Sequence, residues 1–182
     1  VGDIKPAENA LSLFLDMTWD IDAFTVENVG FYYANTLSKY FGEQHRDALQ
    51  HIFDEYFSLA FARKPEHMQH HLEQHFAEDN YHEAERRTAR YAAISAEADA
   101  IYAQLDEDSK PGFFQLVYYP VKGAALLNIA FLEAQRNRWY ARQGRAATNA
   151  VRDEVQRCYD SLQVITRGYN SLLGGKWNHM MS

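Results

Sequence analysis

The chain has a single cysteine, Cys158, and only four prolines and nine glycines among its 182 residues. One thiol cannot build a disulfide scaffold. So few glycines and prolines leave too few turns for a sandwich or barrel of many short strands. Basic residues are outnumbered 18 to 25, giving a net charge of −7. That balance disfavours a nucleic-acid partner, although a local basic patch would still fit it. Low-complexity runs and internal repeats are missing too. Residues 113–132 are long enough to span a membrane and are apolar apart from Gln115, Lys122 and Asn128. Lys122 falls at the centre, Pro120 and Gly123 interrupt the run, and no basic flank sets an orientation. A helix buried on nearly all sides is the better reading, with no membrane partner. There is no initiator methionine. The strand-like start at Val1 and the apolar pair Met180-Met181 near the end read as the edges of a piece of something longer, so the lack of a leader carries no weight.

What is present is helix-forming and apolar. Hydrophobic residues make up 47% and aromatics 14% of the chain, enough for one globular domain. A chain of this length buries about 70% of the surface it exposes unfolded. Gly42, Lys64-Pro65, Pro111-Gly112, Gly144 and Gly174-Gly175 punctuate segments of helical period. Thr25 can cap a first helix through N–H groups near Asn28, with Val26, Val29, Tyr33, Leu37 and Tyr40 as its stripe. A second runs over 43–63 with Leu49, Ile52, Phe53, Tyr56, Phe57 and Ala60 on one face. A third spans 80–105, where Tyr81, Ala84, Thr88, Tyr91, Ser95, Ala98, Tyr102 and Leu105 alternate steps of three and four. The fourth begins near Ser109, tolerates Pro111 in its first turn and is predicted to kink before Pro120. The fifth covers 145–169 along Val151, Val155, Cys158, Leu162, Ile165 and Tyr169. Cys158 reads as a small buried hydrophobe. The expected fold is all-α, an antiparallel bundle of about five helices with the fourth at its centre.

Two clusters invite a chemical reading. His67, His70, His71 and His75 crowd one segment, and a helix would place His71, His75 and Glu78 on one face as zinc ligands. Asp79-x-x-His82 lies beside them. A di-iron bundle needs such a carboxylate–histidine pair on each of two helices, and no second copy occurs. The bland alternative is a solvated connector, so no metal or other cofactor is assigned. Arg136, Arg138, Arg142 and Arg145 gather around Trp139 and Tyr140. Their guanidinium forks suit phosphate or the carboxylate of an acidic sugar, although cations also simply favour the last turn of a helix. No nucleophile elbow and no phosphate-cradling glycine loop is present.

Seven ordered strings go beyond composition: Val1-Gly2-Asp3-Ile4-Lys5-Pro6, Phe14-Leu15-Asp16-Met17-Thr18-Trp19-Asp20, Phe24-Thr25-Val26-Glu27-Asn28-Val29, Arg63-Lys64-Pro65-Glu66, residues 114–122, Asn137-Arg138-Trp139-Tyr140-Ala141 and residues 174–182. Together they resemble glycoside hydrolase family 115, the α-glucuronidases of xylan breakdown. The resemblance implies a larger parent with an N-terminal domain, a (β/α)8 catalytic barrel, a helical bundle and a C-terminal β-sandwich. Residues 1–24 would then be the last barrel strand and its exit loop, 25–170 the bundle, and 171–182 a linker to the next domain. Such a parent, secreted or periplasmic, removes α-1,2-linked glucuronic acid or its 4-O-methyl form from xylan with inversion. Inversion needs a carboxylic acid and a carboxylate base about 6.5–9.5 Å apart. The resemblance puts that pair upstream, so no catalytic residue is assigned here and the piece alone is expected to be inactive. Loops at the C-terminal end of a barrel build its active site. The resemblance therefore makes Lys5, Glu8 and Asn9 candidates for the rim of the sugar site, with Lys5 facing the uronate charge. Equally, they would only close the barrel end. Trp177, Asn178 and His179 would fold back toward the barrel. Val26 departs from the pattern, where Pro is expected. The partners implied are the parent's other domains, glucuronoxylan through the parent, and a homodimer. An acidic-polysaccharide module and a metal-binding bundle are the alternatives.

Overall fold

The computed structural model describes residue 5, residues 7–69 and residues 76–181. Among these residues every regular element is helical. The order is α1 (Glu8–Trp19), α2 (Val26–Val29), α3 (Tyr32–Phe41), α4 (Arg46–Ala62), α5 (Glu83–Gln104), α6 (Lys110–Phe113), a π-turn (Phe114–Tyr118), α7 (Tyr119–Arg142) and α8 (Thr148–Gly175). Consecutive long helices are neighbours. α4 lies between α3 and α5, and α7 lies between α5 and α8. Short links between α3 and α4, α5 and α6, and α7 and α8 make these neighbours antiparallel.

The expected central helix is central. No residue from Ser109 to Asn137 is fully exposed. The single kink expected before Pro120 is a π-turn, in which the Tyr119 N–H reaches back five residues to the Phe114 carbonyl. Gly168 on α8 lets that turn approach closely, since a Cβ there would lie 3.2 Å from Phe114 Cζ. The main core joins Leu49, Ile52 and Phe53 of α4 to Tyr91 and Ile94 of α5 and to Phe113, Val117 and Val121 along the central helix. No helix among the described residues is long and apolar enough to cross a membrane.

Three expectations need correction. Val1–Ile4 fall outside the described residues, but most of the segment read as an exit loop is helix α1, followed by a 3-10 turn over Ile21–Ala23. The contiguous run Leu11–Leu15 hid the period, because no α1 residue is fully buried in this chain. Next, the first bundle helix breaks at Gly30. The Thr25 cap forms as expected, with reciprocal bonds to Asn28. Beyond the break the buried stripe becomes Ala34, Leu37, Ser38 and Phe41, leaving Val26 and Tyr40 exposed. Finally, α5 buries Ala84, Arg87, Tyr91, Ile94, Ala98 and Ile101. Half the expected seam is present, but Arg87, Ile94 and Ile101 replace Thr88, Ser95 and Tyr102.

Arg87 is the unexpected member of that stripe, at 4% exposure. Its Nε donates to Asn128 Oδ1 at 2.9 Å, Nη1 to the Leu59 carbonyl at 3.0 Å and Nη2 to the Arg63 carbonyl at 2.8 Å. The rings of Phe76 and Tyr91 lie 4.6 and 5.2 Å from its guanidinium carbon. Burial lowers its pKa from the usual arginine value. The carbonyls it caps are the negative end of α4, so the helix itself supplies part of the counter-charge.

Replacing this fork with a smaller apolar group removes charge-assisted bonds and leaves buried acceptors unpaired. Arg87→Leu is expected to cost about 3 kcal/mol, read as a lower urea midpoint at unchanged slope. Arg87→Lys, which lacks the fork, is expected to recover less than half of that loss.

A second link between α4 and α5 is exposed. His51 Nδ1 lies 2.9 Å from Glu97 Oε1. Its hydrogen bond with Glu97 raises the imidazole pKa above the ordinary 6.5. A raised folded-state pKa means the pair's stabilisation is complete below the unfolded value and disappears as pH rises through the folded one. Titration of the His51 ring by NMR is expected to show a midpoint above 6.5 that falls in Glu97→Gln.

Candidate functional site

Lys5, Glu8 and Asn9 come together at the start of α1, where they meet the π-turn. Lys5 Nζ lies 2.8 Å from Glu8 Oε1 and 4.0 Å from the centre of the Trp177 ring. Glu8 Oε2 accepts a hydrogen bond from Gln115 Nε2 at 2.5 Å. Asn9 Nδ2 donates to the Leu116 carbonyl at 2.7 Å. Pro120 explains the last contact. A regular helix would pair that carbonyl with the N–H of residue 120, and proline has none. Asn9 supplies the missing donor and so fastens α1 to the central helix. π-turns often sit beside functional sites.

Here the π-turn borders a cleft of about 320 Å³ between α1 and α3. Leu37 and Leu116 line it together with the rings of Tyr32, Tyr33 and Tyr40. Its polar groups come from Glu8, Asn9, Ser12, Asp16 and Thr36. Helical spacing places Glu8, Ser12 and Asp16 on one face of α1. Tyr32 Oη donates to Asp16 Oδ2 at 2.6 Å. Burial first, and the Asp16 bond second, hold the Tyr32 hydroxyl protonated well above the ordinary phenol range. Burial also raises Tyr33. Asn9 Oδ1 and Asp16 Oδ1 accept no hydrogen bond among the described residues. Among the described residues no lysine, arginine or histidine lines the cleft. Tyr33 and Tyr40 were legible as helix-stripe residues, Tyr32 was not, and the break at Gly30 is what changes the phase of this stretch.

The tail folds back as well. Asn170 brackets Met181, donating to its carbonyl and accepting its N–H at 3.0 Å. Trp177 meets Lys5 in the same region. Leu173 and His179 adopt positive φ of 52° and 67°.

The other clusters divide. His70, His71 and His75 lie outside the described residues. Glu78 Oε1 accepts a bond from Gln135 at 3.1 Å, and Glu78 Oε2 lies 3.5 Å from Arg136. Among the described residues no three His, Cys, Asp or Glu side chains gather as metal ligands. The arginine patch loses Arg136, which turns inward to Glu133 at 2.9 Å. Arg145 instead stacks over Tyr140 and Trp139, at 4.5 and 5.5 Å. Cys158 is buried, and burial pushes its thiol up to about 11, which makes it a poor nucleophile.

The family model for glycosyl hydrolase family 115 matches residues 1–67. Among solved structures, the chain is similar over 100% of its length to a family GH115 4-O-methyl-alpha-glucuronidase, BtGH115A, with specificity for decorated arabinogalactans. The two share 30% sequence identity with a TM-score of 0.83. The chain spans about a quarter of that enzyme, 24% of its length. No curated protein matches. The chain thus resembles a helical domain of a family 115 glycoside hydrolase, and the likeness continues well past the segment that the family model covers.

The Asn9 contact gives a direct test. Asn9→Leu leaves the Leu116 carbonyl unpaired, at a cost of about 1–3 kcal/mol. Amide exchange across α1 is expected to accelerate while α4 and α5 stay protected.

Proposed function

We propose that this chain is a helical accessory domain of a family 115-like α-glucuronidase, one that removes α-1,2-linked glucuronic acid or its 4-O-methyl form from xylan with inversion. One observation carries the reading: the whole chain aligns with a quarter of a solved 4-O-methyl-alpha-glucuronidase at 30% identity. The surface supports it. Phe14, Leu15, Trp19, Ile21 and Val26 are exposed at the α1 end. An exposed apolar group of this kind marks an interaction site. In this reading it packs against the catalytic barrel. Glu8 and Asn9 line the cleft near that group and Lys5 pairs with Glu8, an arrangement that supports reading the three as rim residues of the sugar site. The catalytic acid and base belong to the barrel, and the bundle's contribution is to hold the rim rigid.

The assay compares the complete parent enzyme with this chain on glucuronoxylan. The parent is expected to release free glucuronic acid as the α-linked sugar inverts to the β anomer, detected by proton NMR. The 182-residue chain alone is expected to release none. Hydrolysis by the chain alone would overturn the accessory role.

A further inference from the structure

We propose that the cleft between α1 and α3 binds an uncharged, hydroxyl-rich sugar unit, and not a uronate. The inference comes from the charges and the free hydrogen-bonding groups of the cleft, and rests on the proposed function only for the source of the sugar.

Among the described residues an anionic ligand finds no cation in the lining, to which Glu8 and Asp16 contribute two carboxylates. Lys5, a nearby cation, is taken up by Glu8 and by the Trp177 ring. A cationic ligand fits poorly as well. Lys5 already compensates Glu8, and an ammonium only donates. The groups left over are of both kinds. Asn9 Oδ1 and Asp16 Oδ1 accept, while the hydroxyls of Tyr33 and Tyr40 donate as well as accept. A sugar hydroxyl also does both, so a neutral polyol satisfies this set without a stranded charge. Three tyrosine rings add apolar faces against which the C–H face of a pyranose can lie. A volume of about 320 Å³ is enough for one or two sugar units. The Asp16–Tyr32 bond at 2.6 Å fixes the wall before any ligand arrives, so little ordering cost remains at binding.

The test uses this chain, labelled with ¹⁵N, titrated separately with xylotetraose, β-1,3-galactotriose and sodium glucuronate. At least one neutral oligosaccharide is expected to shift the amide signals of Tyr33, Thr36 and Tyr40, and which one does so identifies the source. Glucuronate is expected to leave them in place. Tyr40 is exposed, so Tyr40→Ala keeps the fold, verified by circular dichroism, and is expected to weaken binding about tenfold, equivalent to about 1.4 kcal/mol. Asp16→Ala is expected to do the same. Phe61→Ala, which removes another exposed ring outside the cleft, is expected to change nothing. The proposal is overturned if neither neutral sugar binds, if glucuronate binds as tightly, or if both cleft variants bind like the unaltered chain. Lost binding with intact hydrolysis by the parent would discard the cleft alone. Retained binding with no glucuronidase activity would discard the enzyme reading alone.

Discussion

The fold depends on where one guanidinium is placed. Among the described residues Arg87 meets no carboxylate, and it instead faces the carbonyl end of α4, the amide of Asn128 on α7 and two aromatic rings. Taking such a charge from water costs several kcal/mol. The cost is offset only if all three helices keep their relative positions, because each supplies a separate acceptor or ring. α5 thereby fixes both the end of α4 and the face of α7 that looks at it. The aliphatic contacts around Leu49, Ile52 and Ile94 supply the bulk of the burial. They would tolerate small slips that the planar fork does not.

That geometry then passes outward. α7 continues the helix that carries the π-turn, and the π-turn offers the carbonyl held by Asn9. α1 is otherwise poorly anchored, with none of its residues fully buried. Its position, and with it the wall of the tyrosine cleft, follows from a proline more than a hundred positions away in sequence. A second brace comes from the tail, where Trp177 covers Lys5. Lys5 and Trp177 therefore meet on one side of the bundle, next to the cleft.

The all-helical fold, the buried central helix and the Thr25 cap were legible in the sequence, because hydrophobic period and capping chemistry are local signals. The errors arose where a local signal had two readings. On α5, two stripes offset by one residue share Ala84, Tyr91 and Ala98. Choosing between them required knowing that a buried arginine could be satisfied by carbonyls of another helix. On α3, one glycine changed the phase of everything after it. The region of Lys5, Glu8 and Asn9 was singled out through resemblance, but not its internal pairing. Lys5 and Glu8 stand three residues apart, a spacing that brings opposite charges together on a helix, but in a segment read as a loop the pair is not drawn. The arginine patch divided for a similar reason: Arg136 finds carboxylates on the inner side that Arg138 lacks.

The π-turn also sets how this helix can change length. Across it the buried residues Phe113, Val117 and Val121 keep steps of four in succession, where a regular helix would alternate fours with threes. The segment is wound one residue loose. Deleting a residue between 114 and 118 would tighten it into ordinary α-helix and drive the Pro120 ring against a carbonyl, at about 3 kcal/mol. Downstream side chains, Asn128 among them, would keep their faces, because the residue lost is the one that the wide turn had absorbed. The slack turn and the proline are thus a matched pair, and one cannot be altered without carrying the other along.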